Sequence, residues 1–313
     1  MASQRQLVMT TLTVHFDREL RRLDPEDAAA WRAWLTQHQL DYMLIACPSV
    51  LTYREPTKRG VGEWLKMHEA AKNLAERAGT DGEFETPPRT TMAGDDACLG
   101  AYHLTTAFRM CIGAAIDHLY VLTSLIVDLG RLNPSAPYSV ARGILENAAA
   151  SFWLIHPRSR DERIERTLQL WAQNARDQHK ATVGGGTTND EIVARVKELA
   201  TARGLDPDRA TSWPSSTDMV KYADIEARTL ERIPVLLPWQ ICSGFAHGRG
   251  WAQMGMLQTE TVREVRPAVQ QMRLTNSVDR MLSVAQPRFH LLATTLGRRC
   301  RDEWVLRSVP LGK

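Results

Sequence analysis

Two stretches of this chain are apolar in almost every direction, and that restricts the folds open to it. With successive residues of 96–131 placed 100° apart, Ile112, Ile116, Leu119, Leu122, Leu125, Ile126 and Leu129 cover most of the circumference. Only Thr106, Gly113, Asp117, Ser124 and Asp128 interrupt them, as one polar stripe. Residues 137–156 repeat the pattern through Val140, Ile144, Leu145, Phe152, Leu154 and Ile155. A helix with no wide polar face has to be enclosed by other helices. The expected fold is all-α, a helical bundle with two central buried helices and an N-terminal helical pair.

Start and stop signals divide the rest. Asp24-Pro25-Glu26-Asp27 supplies a cap, a proline for the first helical position and early acidic residues. The helix it opens runs through Trp31, Trp34 and Leu35 toward Cys47, where Pro48 stops it. A second begins near Gly62, carries Trp64, Leu65, Met67, Ala71 and Leu74, and ends by Gly79. Residues 79–95, with Pro87-Pro88 at their centre, read as a linker. The expected division is thus an N-terminal helical segment, 1–93, and a main helical bundle, 94–313. Ser159 with Glu162 forms a capping box for a charged helix toward His179, and Thr188 with Glu191 caps a helix to Gly204. After a polar loop at 205–218, helices are expected near 218–232, 238–257 and 266–302, the last kinked at Pro287. Strand signals are almost absent.

Composition excludes several classes of function. Lys and Arg number 39 against 36 Asp and Glu, a net charge of +3, so no global field favours nucleic acid. Five scattered cysteines without a Cys-x-x-Cys pair support neither a zinc knuckle nor a dithiol redox site. The segment Cys111–Leu129 contains Asp117, His118 and Asp128, which a membrane span would have to bury. A cytoplasmic protein with no membrane association is expected. No histidine has an acidic residue three or four positions before it, and His-x-x-x-His is missing, so local spacing asks for no metal and no cofactor.

Charged and polar residues in apolar helices are the informative ones, because burying them without partners is costly. Arg142 and Glu146 lie four apart on one face, with Trp153 on the same side. They are either a structural ion pair or part of a pocket between helices. His118 faces away from the polar stripe, as a satisfied core histidine or a pocket-lining one. In Ser243-Gly-Phe-Ala-His247-Gly-Arg-Gly-Trp251, Ser243, His247 and Trp251 repeat every four residues, and Gly244, Gly248 and Ala252 do so on the adjacent face. Small residues at that spacing let another backbone approach closely. Covalent catalysis is not expected, since no acid in the segment orients the histidine. The arginines around Arg158, Arg160, Arg163 and Arg166 are interspersed with acids and read as a solvated face. Arg298, Arg299 and Arg301 are more one-sided and are the candidates for phosphate contact.

Over about residues 96–300 the chain resembles bacterial all-helical proteins with HEPN-like features. The resemblance is carried by Arg142-x-x-x-Glu146 followed by Trp153-Leu154, by Arg163 and Arg166, and by Ser243-Gly-Phe-Ala-His247-Gly. HEPN ribonucleases use an arginine four to six residues before a catalytic histidine, usually in a dimer. His247 matches that histidine, but Gln240, Ile241, Cys242 and Ser243 stand where the arginine belongs, and Arg249 lies on the wrong side. The resemblance implies a non-catalytic binding or interaction protein, homodimeric, taking a small-molecule ligand or a protein partner. Its expected pocket is lined by Arg142, Glu146, Trp153, His247 and Trp251, with Ser243 and His118 as further contacts. Two alternatives stand beside it. One is an enzyme with His247 as general base, Arg142 as anion anchor and Glu146 as the orienting carboxylate. The other is an RNA binder using Arg298, Arg299 and Arg301.

Overall fold

The computed structural model describes residues 43–46, 57–80, 86–182, 188–231, 234–266 and 269–307, with backbone only at 43–46, 188–189, 228–231, 266, 269 and 298–307. Ten α-helices account for most of them, so the fold is all-α with a small sheet added. α1 (Lys58–Ala78) starts where Thr57 Oγ1 accepts from Gly60 N–H. The same hydroxyl donates to Asp279 Oδ1, and Trp64 Nε1–H donates to the Val278 carbonyl, which ties the first described helix to the last. Trp64, Met67 and Ala71, three and four residues apart, form its buried face. They share one hydrophobic core with the helices beyond position 94.

The long helix expected over 96–131 is divided. α2 (Thr91–Asp96) is followed by a turn with Gly100 at φ +61°, and α3 (Leu104–Val127) follows. Asp96 turns the chain by accepting from the Thr105 N–H and hydroxyl. Among the described residues α3 is the one helix long and apolar enough to cross a membrane. Here its Leu104, Phe108, Ile112, Ile116, Leu119 and Leu122 are buried, and it packs on α1 and α4. α4 (Ala136–Ile155) contacts α3 and four further helices defined below, and its last eight residues are all buried. It is the centre of the bundle. Gly143 on this helix meets His118, whose ring Cδ2 and Nε2 lie 2.7 and 2.8 Å from where a Cβ would sit.

α5 (Arg160–Ala181) is capped as expected, Ser159 Oγ accepting from Glu162 N–H. Arg158 and Arg160 are exposed, as a solvated face requires, but Arg163 and Arg166 are not. Every residue from Arg163 to Leu170 is buried. The reason is Asp95, a fully buried carboxylate on α2 that accepts from Arg163 Nε at 2.7 Å and Arg160 Nε at 3.1 Å. A buried charge persists when it is paired in this way. α6 (Thr188–Ala202), a 3-10 turn at Arg209–Thr211 and α7 (Ser216–Glu231) complete this side.

The last third departs most from the pattern-based expectation. α8 (Leu236–Ala246) begins where Asp224 Oδ1 of α7 accepts from Val235 and Leu236 N–H. It stops at His247, Gly248 reverses the chain at φ +64°, and α9 (Gly250–Met256) folds back. The single helix expected at 238–257 is therefore two short ones. A hairpin follows in place of the expected helix start at 266: β2 (Gln258–Arg266) pairs antiparallel with β3 (Val269–Thr275). The overlooked signal is a period of two in β3, where Met272 and Leu274 are buried and Arg273 is exposed. β1 (Met43–Ala46) pairs parallel with β3, giving the order β1-β3-β2. Those four residues were expected to end a helix; the rest of that helix lies outside the described residues. α10 (Val278–Arg307) contains Pro287 and packs on α4 and α1. The helices that contact α4, besides α3, are α5, α7, α8 and α10.

Candidate functional site

The expected site separates into two places on α4. At the first, Arg142 Nε donates to Glu146 Oε1 at 2.8 Å, as the four-residue spacing requires. Trp239 Nε1–H of α8 donates to the same oxygen at 3.0 Å. Arg142 Nη1 reaches His247 Nε2 at 3.2 Å across the α4–α8 contact. A guanidinium has no lone pair to offer, so the histidine nitrogen is the acceptor in this contact. Arg142 and Glu146 are each about one-quarter exposed, at 26% and 25%, while His247 is exposed. Arg142, Glu146 and His247 do meet, but at the surface and through the arginine.

Behind them lies a second arginine. Arg288 of α10 is fully buried, and donates from Nε to the Ala141 carbonyl and from Nη2 to the Pro238 carbonyl and to Cys242 Sγ. Its Nη1 has no partner. Burial lowers the Arg288 pKa and raises that of Cys242, each partly offset by the other. These bonds pin α10 to α4 and α8.

The other expected residues take separate places. Trp251 is 55% exposed, and its ring covers Gly244 on α8. The close approach expected at Gly244 is thus made by α9, with Ala252 Cβ 2.6 Å from where a Cβ would stand. The every-four-residues alignment of Ser243, His247 and Trp251 is broken by the turn; Ser243 meets His247 through its carbonyl, which accepts the His247 N–H. His118 is half-buried, and its Nδ1 is hydrogen-bonded to the Ala114 carbonyl of its own helix at 2.6 Å. The side chains of Arg298, Arg299 and Arg301 lie outside the described residues. Among those described, no three His, Cys, Asp or Glu side chains come together as a metal site would need.

Trp153 belongs to the second place. At the C-terminal end of α4, its ring meets Trp213 edge-on, centroids 5.5 Å apart, beside a cavity of about 240 Å³. Arg166 of α5 forms one side. Its guanidinium lies 4.8 Å from the Trp153 ring and 4.4 Å from Tyr222, donating to the Trp153 carbonyl and to Glu162. Beside it on the same helix, Glu165 pairs with Arg209 at 2.7 Å. Gln169 lines the same cavity, 7% exposed, and its Nε2–H donates to the Arg209 carbonyl. That bond fixes which way the amide points, because a carbonyl needs a donor, and it leaves Gln169 Oε1 buried without a partner.

Sequence reasoning named Trp153 here and missed Trp213, Gln169, Glu165 and Arg209. A glutamine between Leu168 and Leu170 was a signal, since it sits in the apolar run of a helix otherwise read as charged. Trp213 carried none, because the loop that holds it has no periodicity. Burial pushes the Glu165 carboxyl above its ordinary value, with Arg209 pulling it back and Glu162 adding to the rise. No protein-family model, curated protein or solved structure matches the chain.

Proposed function

We propose that this chain is a non-catalytic binding protein whose ligand enters the Trp153–Trp213 cavity between α4, α5 and the loop before α7. The reading rests on Gln169 Oε1. A buried amide oxygen without a partner costs about 1–3 kcal/mol, and a ligand N–H would remove that cost. Two indoles beside a few aimed polar groups match the usual makeup of a small-molecule site. At about 240 Å³ the cavity is smaller than most such sites, which argues for a compact ligand. The test is a thermal-shift screen of small molecules against the full chain and Trp213→Ala. Compounds that stabilise the first and not the second support the reading; a screen without such compounds overturns it.

The Arg142–His247 contact supports a second reading, an enzyme with His247 as base and Arg142 as anion anchor. Against it stands the geometry of the same contact. The lone pair that would accept a proton is already directed at Arg142, and exposure denies the low-dielectric surroundings that strengthen such chemistry. The binding reading is the better supported.

A further inference from the structure

Taking the binding reading as its basis, we infer that the cavity selects a small planar organic cation of the amidinium or guanidinium class. The polar groups there are unequal in what they still need. Arg166 is spent on Glu162, on the Trp153 carbonyl and on two aromatic faces. Gln169 has one N–H on the Arg209 carbonyl and keeps an acceptor without a partner. Glu165 is a carboxylate with a side chain only 10% exposed, while its partner Arg209 is 65% exposed. Because Arg209 is itself exposed, a cation that replaces it on Glu165 returns it to water at little cost. Glu165 and Gln169, four residues apart on one helix, both line the cavity beside the two indole rings, so a carboxylate and a buried amide oxygen are the acceptors left to a ligand.

An anion would have to draw the exposed Arg209 away from Glu165 and would then face that carboxylate. A neutral amide would satisfy Gln169 but not the carboxylate. A planar cation with two N–H groups satisfies both, as a guanidinium satisfies a carboxylate in a two-bond fork, and its face suits the indoles. It takes the place of the Arg209 guanidinium on Glu165.

Benzamidine, benzamide and benzoate have nearly one shape and differ in charge, so they separate the alternatives. Binding to the full chain is followed by calorimetry and by quenching of tryptophan emission. Benzamidine should bind at least about tenfold more tightly than either isostere, the usual margin for a hydrogen bond to a charged group. Arg209→Ala, which removes an exposed side chain and keeps the carbonyl that holds Gln169, should tighten benzamidine severalfold by freeing Glu165. Glu165→Gln and Gln169→Leu should each weaken it about tenfold. Equal binding of benzamide, tighter binding of benzoate, or weaker benzamidine binding by Arg209→Ala overturns the inference. Were benzamidine to fail while another compound stabilised the chain but not Trp213→Ala, the cation assignment would fall and the binding reading would stand. If no compound did so, both would fall.

Discussion

Arg142 of α4 and His247 of the α8–α9 turn are 105 positions apart in the chain and 3.2 Å apart in space, with the arginine donating to histidine Nε2. The bond spans the contact between two helices and ends at the surface, so water competes for both groups. Its contribution to stability is correspondingly small. His247→Ala should change the unfolding free energy by no more than about 0.5 kcal/mol. A double-mutant cycle with Arg142→Ala, read by urea unfolding, should give a coupling below about 1 kcal/mol. A coupling of about 3 kcal/mol would place the pair in a dry, closed site and restore the case for His247 as a base.

Asp95 behaves in the opposite way. With no exposure of its own, it holds Arg163 and Arg160 on α5, and Arg163 in turn closes the Pro157 and Arg158 carbonyls. Asp95→Asn keeps the shape and removes the charge, leaving Arg163 buried without a counter-ion. The expected loss is about 3–5 kcal/mol by chemical denaturation, with Arg160→Ala costing far less because that side chain is 53% exposed.

The α8–α9 hairpin is set by contact between Gly244 and Ala252. Gly244→Ala drives a methyl to 2.6 Å from the Ala252 Cβ and should cost about 1–3 kcal/mol of stability. Adding Ala252→Gly should return part of that loss, which separates a packing cost from a helix-propensity effect. Gly248→Ala should destabilise by about 1 kcal/mol through its backbone alone, since φ is +64° and nothing stands within 4 Å of the added carbon.

Burial pushes the Cys111 thiol from its ordinary 9.0 up to about 11. At pH 8 its thiolate fraction is lower than that of an exposed cysteine by about a hundredfold, and alkylation of its peptide should be slower in proportion. Peptide mapping by mass spectrometry across pH 7–10 checks this. The sign of the linkage follows from a raised value. The folded state favours the neutral thiol, so this contribution to stability is complete below pH 9 and lost as pH rises toward 11. Reaction at the rate of a free thiol at pH 8 would contradict the packing of α3.

Much of the architecture was legible from local pattern. Helix starts at Ser159 and stops at Gly79 and Pro157 follow from capping and from the missing proline N–H, which act within a few residues. The pairing of Arg142 with Glu146 was legible for the same reason. The hairpin was less so, because every residue of β2 whose side chain is described is exposed except the half-buried Gln258 and only β3 shows the two-residue period. A strand with no buried face leaves no apolar alternation to read.

Spacing along the chain determined that α3 and α4 bury broad apolar faces, although α3 leaves Arg109, Met110, Asp117 and Val121 exposed where full enclosure was expected. It also determined that charges on α4 need partners. Which partners they find was decided by the tertiary structure. Trp153 shares a helical face with Glu146, yet seven residues of helix carry it about 10 Å along the axis, beyond the reach of His247 and into the company of Trp213 and Gln169. Arg163 and Arg166 look like surface residues until Asp95 and the aromatic rings come to meet them from elsewhere in the chain. Periodicity encodes the direction in which a side chain points. What it meets depends on which helices pack together, and that is a property of the whole core.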